Sequence, residues 1–183
     1  MKIQEMTHVA LFAAIMGALG LLPPIFLTFT PVPITLQTIG VLLAGGILGA
    51  RLGAISQIVF LLLVAAGLPL LSGGRGGLSV FVGPSAGYLL SYPITAFCLG
   101  TIQARLKKVR VATILPINLT VGIFLIYLFG IPVQAFIMNI DLLLAVKMSL
   151  VYLPGDIMKA TIATFLVVKL KKYPVFNRKL LFT

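Results

Sequence analysis

The chain has 183 residues, 60% hydrophobic and 9% charged, with 14 Lys or Arg against three acids and a net charge of +11. Its mean hydropathy is +1.18, whereas a water-soluble domain keeps roughly a quarter of its residues charged. This inventory excludes a soluble enzyme or an ordinary nucleic-acid binder and leaves a membrane protein made mostly of spanning helices.

Apolar stretches bounded by Pro, Gly or basic residues predict six spans, at residues 7–27, 36–48, 52–71, 85–104, 111–129 and 154–170, in one integral membrane domain covering 1–183. The first apolar run is long and is followed by others, so it reads as a spanning helix rather than a cleaved leader. Most of the positive charge flanks these runs: Lys2, Arg51, Arg105, Lys107, Lys108, Arg110, Lys169, Lys171, Lys172, Arg178 and Lys179. With six spans they all fall on one side, which the positive-inside rule makes cytoplasmic, and both termini with it. Arg75, Lys147 and Lys159 are the exceptions, and a misplaced charge in so apolar a chain is costly.

The first span carries Ala10, Ala14 and Ala18 at every fourth position, with Ala13 and Gly17 alongside. Such a stripe lets another helix approach closely, either within the protein or in a partner. The second span is short for a bilayer core, and the preceding Thr30-Pro-Val-Pro-Ile-Thr35 cannot be regular helix because two prolines interrupt it. Irregular backbone at membrane depth belongs where it is buried or lines a cavity. The segment Pro31–Gln37 is therefore expected over or inside a cavity opening to the outer face.

Between the third and fourth spans, Ser72-Gly-Gly-Arg-Gly-Gly77 surrounds Arg75 with glycine, which by itself reads as a flexible outer loop with a stray charge slightly more readily than as a backbone folded closely around a ligand or another loop. No GxxxxGK[ST] loop occurs, which removes that route to ATP hydrolysis. Residues 131–147 are apolar but interrupted by Pro132, Gln134, Asn139, Asp141 and Lys147. They suggest an outer-face interfacial helix or, alternatively, a longer sixth helix starting near Asp141.

The sixth span opens with Leu153-Pro-Gly-Asp-Ile-Met-Lys159. Proline suits the first helical turn, Asp156 falls in that turn, and Lys159 lies three residues on along the same face. The two charges can neutralise one another. A helix N-terminus favours negative charge, however, so Lys159 is better explained as awaiting an anionic ligand. His8 and the three acids form no metal cluster or nucleophile–base pair, so the chain is not read as an enzyme and needs no cofactor. Cys98 reads as a small core residue; Asn118 and Gln57 read as partners in interhelical hydrogen bonds.

Several ordered motifs then carry a resemblance: Pro31-Val-Pro-Ile-Thr-Leu-Gln37-Thr-Ile-Gly40, Gly49-Ala-Arg51-Leu-Gly53, Gly67-Leu-Pro69, Gly73-Gly-Arg-Gly-Gly77, Gly83-Pro-Ser-Ala-Gly-Tyr88 and Leu153-Pro-Gly-Asp-Ile-Met-Lys159. The chain resembles the BioY family, the biotin-specific substrate-binding S components of energy-coupling factor transporters. The resemblance implies an all-α protein of six transmembrane helices, with a short second span and a loop after helix 1 capping the ligand cavity. It also implies biotin capture in the cell membrane and docking on a transmembrane coupling protein driven by two cytoplasmic ATPases. By motif, Asp156 and Lys159 match the polar pair that holds biotin, and Ala10, Ala14 and Ala18 match the docking stripe. Arg75, Tyr88, Gln37, Thr35 and Gly74 are further candidate lining, with the partner of each ligand group left open. Alternatives are an S component for another small vitamin, or a proton-coupled transporter using Asp156.

Overall fold

Pro23 and Pro24 decide where the first helix stops. Proline lacks the N–H of a helical turn and pushes the residue before it towards extended backbone. Accordingly α1 (Ile3–Gly20) ends well before Leu27, the expected limit of the first span. In this computed structural model, which describes residues 1–28, 30–106 and 108–173, the chain next forms a short antiparallel hairpin. Its strands are β1 (Ile25–Leu27) and β2 (Thr30–Ile34), with Ile25 opposite Ile34 and Leu27 opposite Thr30. The fold is therefore mostly helical rather than purely so. Lys107, Arg178 and Lys179 lie outside the described residues.

Helix α2 (Gln37–Leu43) continues through a π-helical turn, Ala44–Leu48, and α3 (Ala50–Ala65) follows. A glycine-rich loop with one 3-10 turn leads to α4 (Ala86–Ala104). Next, α5 (Val111–Ile117), a π-helical stretch Asn118–Ile123 and α6 (Phe124–Met138) run together as one helix of 28 residues. The fifth helix thus passes residue 129, and Pro132 and Gln134 belong to it instead of to an interfacial helix. Its end is set by Asn139, a left-handed residue with φ 51°. Asp141 then caps α7 (Leu142–Leu150), accepting the Leu143 N–H at 3.0 Å. From α7 to α8 (Leu153–Leu170) the axis bends by 56°, so a short separate helix leads into the sixth in place of one straight helix starting near Asp141.

By length and composition α1 and the 28-residue helix can each cross a membrane, and the bent α7–α8 pair makes a third span if taken together. Large apolar side chains such as Leu62, Phe97, Phe124, Phe136 and Phe165 cover the outside of the bundle. An apolar exterior of this kind suits lipid, not water.

Lipid offers helices no hydrophobic drive to associate, so close packing of small residues has to hold them together. Gly100, late in α4, shows the tolerance: a Cβ there would collide with the backbone of Gly49 and Ala50 at the start of α3. Gly46 likewise lets the Val167 side chain, late in α8, approach closely. These contacts gather Arg51, Arg105 and Lys169 at one end of the bundle. At the other end Gly20 packs on the Leu70 carbonyl and Gln37, bringing together the end of α1, the start of α2 and the loop after α3.

Candidate functional site

The start of α8 supplies the charges. Pro154 occupies the first turn, where its missing N–H costs nothing. Asp156, two residues on, has its backbone N–H accepted by the Tyr152 carbonyl at 2.9 Å. Three residues later Lys159 swings back, and its Nζ donates to Asp156 Oδ1 at 2.8 Å. Tyr127 from α6 donates its hydroxyl to Asp156 Oδ2 at 2.6 Å. Both carboxylate oxygens are therefore held, and Asp156 and Lys159 are buried to 6% and 5% exposure. Lys159 is thus paired with Asp156 rather than standing free.

This pair lies in the wall of a partly open cavity whose lining mixes apolar, aromatic and charged side chains. The hairpin side is formed by Val32, Pro33 and Ile34 of β2 with Thr35, Gln37 and Thr38 following. Gln37 is held by its amide group, which donates to the Met16 carbonyl at 3.2 Å and the Leu70 carbonyl at 3.0 Å. It thereby fixes the start of α2 against α1 and the loop after α3.

Arg75 reaches the cavity from that loop. Leu71 and Arg75 exchange backbone hydrogen bonds at 3.0 and 3.2 Å, closing a turn in which Gly73 and Gly74 take φ of 82° and 69°. Side chains rarely adopt such values, so glycine is required there. The Arg75 Nε donates to the Ser72 carbonyl at 3.3 Å, and among the described residues no carboxylate pairs with it. Desolvation draws its pKa below the ordinary arginine value.

The structure therefore brings Asp156, Lys159, Arg75, Tyr88, Gln37 and Thr35 to one cavity. Gly74 is not among its lining residues and acts by shaping the turn that carries Arg75. Sequence reasoning missed Tyr92, Tyr127 and Tyr152, which complete an aromatic wall with Tyr88. A signal existed: the chain has five tyrosines, and Tyr88 and Tyr92 share one face of α4 at a spacing of four.

Elsewhere, Asn118 does bridge helices, accepting from Gln103 at 3.3 Å and donating to Thr164 of α8 at 3.0 Å. Gln57 does not; its amide reaches Ser56 of its own helix at 3.3 Å. Cys98 is half-buried. Among the described residues no three His, Cys, Asp or Glu side chains gather to hold a metal.

Fold and site together define a helical membrane protein with a charged, tyrosine-walled cavity. The chain belongs to the BioY family, which its residues 1–174 match. It is 55% identical over 170 residues to the probable biotin transporter BioY of Bacillus subtilis (strain 168), covering 93% of this chain and 91% of that one. It is 45% identical over 172 residues to the biotin transporter BioY of Rhizobium etli, covering 91% and 92%. Among solved structures it matches the S-component for biotin from an ECF-type ABC transporter with a TM-score of 0.92 and 38% identity, covering 96% of this chain and 95% of that one.

Proposed function

We propose that the chain captures biotin and delivers it across the cell membrane as the S component of an energy-coupling factor transporter. The observation that carries this reading is the charge set of the cavity: Arg75 and Lys159 stand against one carboxylate, Asp156. Two cations against one carboxylate leave the lining with one positive charge in excess, which a small molecule bearing a carboxylate neutralises. Biotin also presents two ureido N–H groups and a ureido oxygen on an apolar bicycle. Asp156 accepts from the ureido N–H groups, Lys159 donates to the ureido oxygen, and Arg75, which pairs with no carboxylate among the described residues, takes the valerate carboxylate. Charge-assisted hydrogen bonds of this kind are strong once the hairpin excludes water. Thr35, Gln37 and the Tyr88 ring complete the lining, with Gly74 shaping the loop.

The same reading assigns six spans: α1, α2 with its π turn, α3, α4, the α5–α6 helix and the bent α7–α8 pair. The basic end carrying Arg51, Arg105 and Lys169 faces the cytoplasm with both termini, and the cavity faces outward. Ala10, Ala14 and Ala18 are exposed on α1, whereas Ala13 and Gly17 are buried inside the protein. The stripe is thus free for docking on a transmembrane coupling protein, driven by two cytoplasmic ATPases.

Labelled biotin added to the purified chain tests the function. Saturable binding tighter than micromolar is expected; micromolar or weaker binding, with another vitamin held more tightly, overturns biotin as the ligand. Uptake into vesicles that lack any ATPase partner, abolished by an uncoupler, would replace the S-component reading with proton coupling through Asp156.

A further inference from the structure

Tyr88 lines the cavity, yet its hydroxyl is committed elsewhere. It donates to Gln134 Oε1 on α6 at 2.8 Å and lies 3.1 Å from Ser149 Oγ on α7. Ser149 Oγ also donates to the Ala145 carbonyl at 2.9 Å. Gln134 and Ser149 are fully buried, and neither lines the cavity. Counting protons settles the roles: the phenol proton goes to Gln134, and the serine proton is shared between Ala145 and the phenol oxygen. None remains on Tyr88 for a ligand.

The ring faces the site instead. It lies against α6 where Gly130 leaves room, since a Cβ at that position would collide with it. It meets the Tyr127 ring at 83° with centroids 6.4 Å apart, the edge-to-face arrangement aromatic pairs favour. Tyr127 in turn donates to Asp156 Oδ2. A second route runs through the backbone: the Tyr152 N–H donates to the Ser149 carbonyl at 3.0 Å, and the Asp156 N–H to the Tyr152 carbonyl at 2.9 Å.

We propose that Tyr88 is a positioning residue: with Gln134 and Ser149 it staples the α7–α8 bend to α4 and α6, and so sets the aim of the Asp156 carboxylate without donating to the ligand. The inference rests on reading Asp156 as the acceptor of the ureido N–H groups. Binding groups need their supporting hydrogen bonds to hold a productive geometry, and a buried network left half-satisfied loses more than one bond.

The test compares biotin affinity in Tyr88→Phe, Ser149→Ala, their double, and Tyr88→Phe combined with Asp156→Asn. It adds amide hydrogen exchange over residues 149–156 of the ligand-free protein. Each single variant should weaken binding about three- to tenfold, the span of one hydrogen bond's net contribution. The double should lose no more than the larger single, and Tyr88→Phe should have less than about a twofold effect beside Asp156→Asn, as expected of residues acting in one network. Exchange should quicken over 149–156 in both single variants. Wild-type affinity in Ser149→Ala beside a weakened Tyr88→Phe would mean that the phenol meets the ligand directly, overturning the proposal. Additive losses, or a Tyr88→Phe effect undiminished by Asp156→Asn, would do the same. Exchange needs no ligand: unchanged protection overturns the staple even if biotin binds, whereas faster exchange in a chain that ignores biotin supports the staple and removes the biotin reading alone.

Discussion

The Tyr152 hydroxyl donates a hydrogen bond to the Val32 carbonyl oxygen at 3.1 Å, joining the hairpin to the residue before α8 across 120 positions of sequence. The backbone carbonyl of the same tyrosine receives the Asp156 N–H. The cover of the cavity and its charged wall are thus fastened at one residue. Tyr152→Phe keeps the ring and removes the fastening, a net loss of about 0.5–1.5 kcal/mol. Biotin should leave roughly two- to tenfold faster, with association changing less, because interface changes act mostly on release. A chase of bound labelled biotin with excess unlabelled ligand measures it; an unchanged release rate would show that the hairpin does not depend on this bond.

The buried Asp156–Lys159 pair separates stability from binding. Removing one partner of such a pair strands the other charge and typically costs about 3–5 kcal/mol, whereas replacing both with apolar residues is often neutral or stabilising. Asp156→Asn and Lys159→Ala should each weaken biotin binding well over tenfold, at least about 1.4 kcal/mol. Lys159→Ala should also lower the melting temperature of the ligand-free protein. The double Asp156→Leu, Lys159→Met should melt near the wild type yet fail to bind biotin. Wild-type affinity in the double would take the pair out of the site.

How much of this was legible in the sequence depended on the range of each interaction. The Asp156–Lys159 pair is local, three residues apart in the first turn of a helix opened by Pro154, so the motif alone puts both charges on one face, although it favours a Lys159 that awaits a ligand over one paired with Asp156. The bond from Tyr127 to Asp156 spans 29 residues and that from Tyr88 to Ser149 spans 61, so no periodicity announces either. Ile25–Leu27 have the hydropathy of a helix end, so apolarity alone extends the first span to Leu27, whereas Pro23 and Pro24 end the helix before it and leave a short strand. Pro132 was read as a helix boundary, but inside a long apolar bundle neighbouring groups satisfy what a proline frees, and α6 runs through it. Gln57 was expected to bridge helices and instead turned to the adjacent Ser56, a choice made by packing.

Arg75 offers a test of which end of the ligand lies where. Its backbone closes the glycine turn, while the side chain makes one hydrogen bond, to Ser72. Arg75→Gln should therefore leave the loop intact and remove the charge. Biotin affinity should fall about tenfold or more, as expected for a charge-assisted, partly desolvated contact. The neutral alcohol made by reducing biotin's carboxylate should bind the variant and the wild type alike. Equal losses for acid and alcohol would place Arg75 away from the carboxylate.

Gly130 tests the shape of the wall, since an added methyl there meets the Tyr88 ring directly. Overpacking a buried site costs about 1–3 kcal/mol. Gly130→Ala should push the ring towards the cavity and weaken biotin binding roughly five- to hundredfold. Gly155→Ala is the control: its methyl would meet Ile34 at an ordinary 3.9 Å, and affinity should hold within about twofold. Equal affinity in both variants would show that the Tyr88 ring does not limit the cavity.

The two faces of α1 predict opposite outcomes for the same kind of substitution. Ala14 is exposed on the stripe with Ala10 and Ala18, whereas Ala13 is 3% exposed and packed in the core with Met16, Val41 and Phe60. Ala14→Leu adds bulk where this chain has no neighbour, so the isolated protein should fold and bind biotin normally. A helix partner that needs close approach to small residues would be held off, and co-purification with the coupling protein and its ATPases should fail. Ala13→Leu should instead destabilise the isolated chain by overpacking, by about 1–3 kcal/mol. Normal assembly of Ala14→Leu would remove the stripe from the docking surface. Loss of biotin binding in that variant would place the stripe within the fold's own packing instead, because only an internal role couples it to a cavity lined by the hairpin and α8.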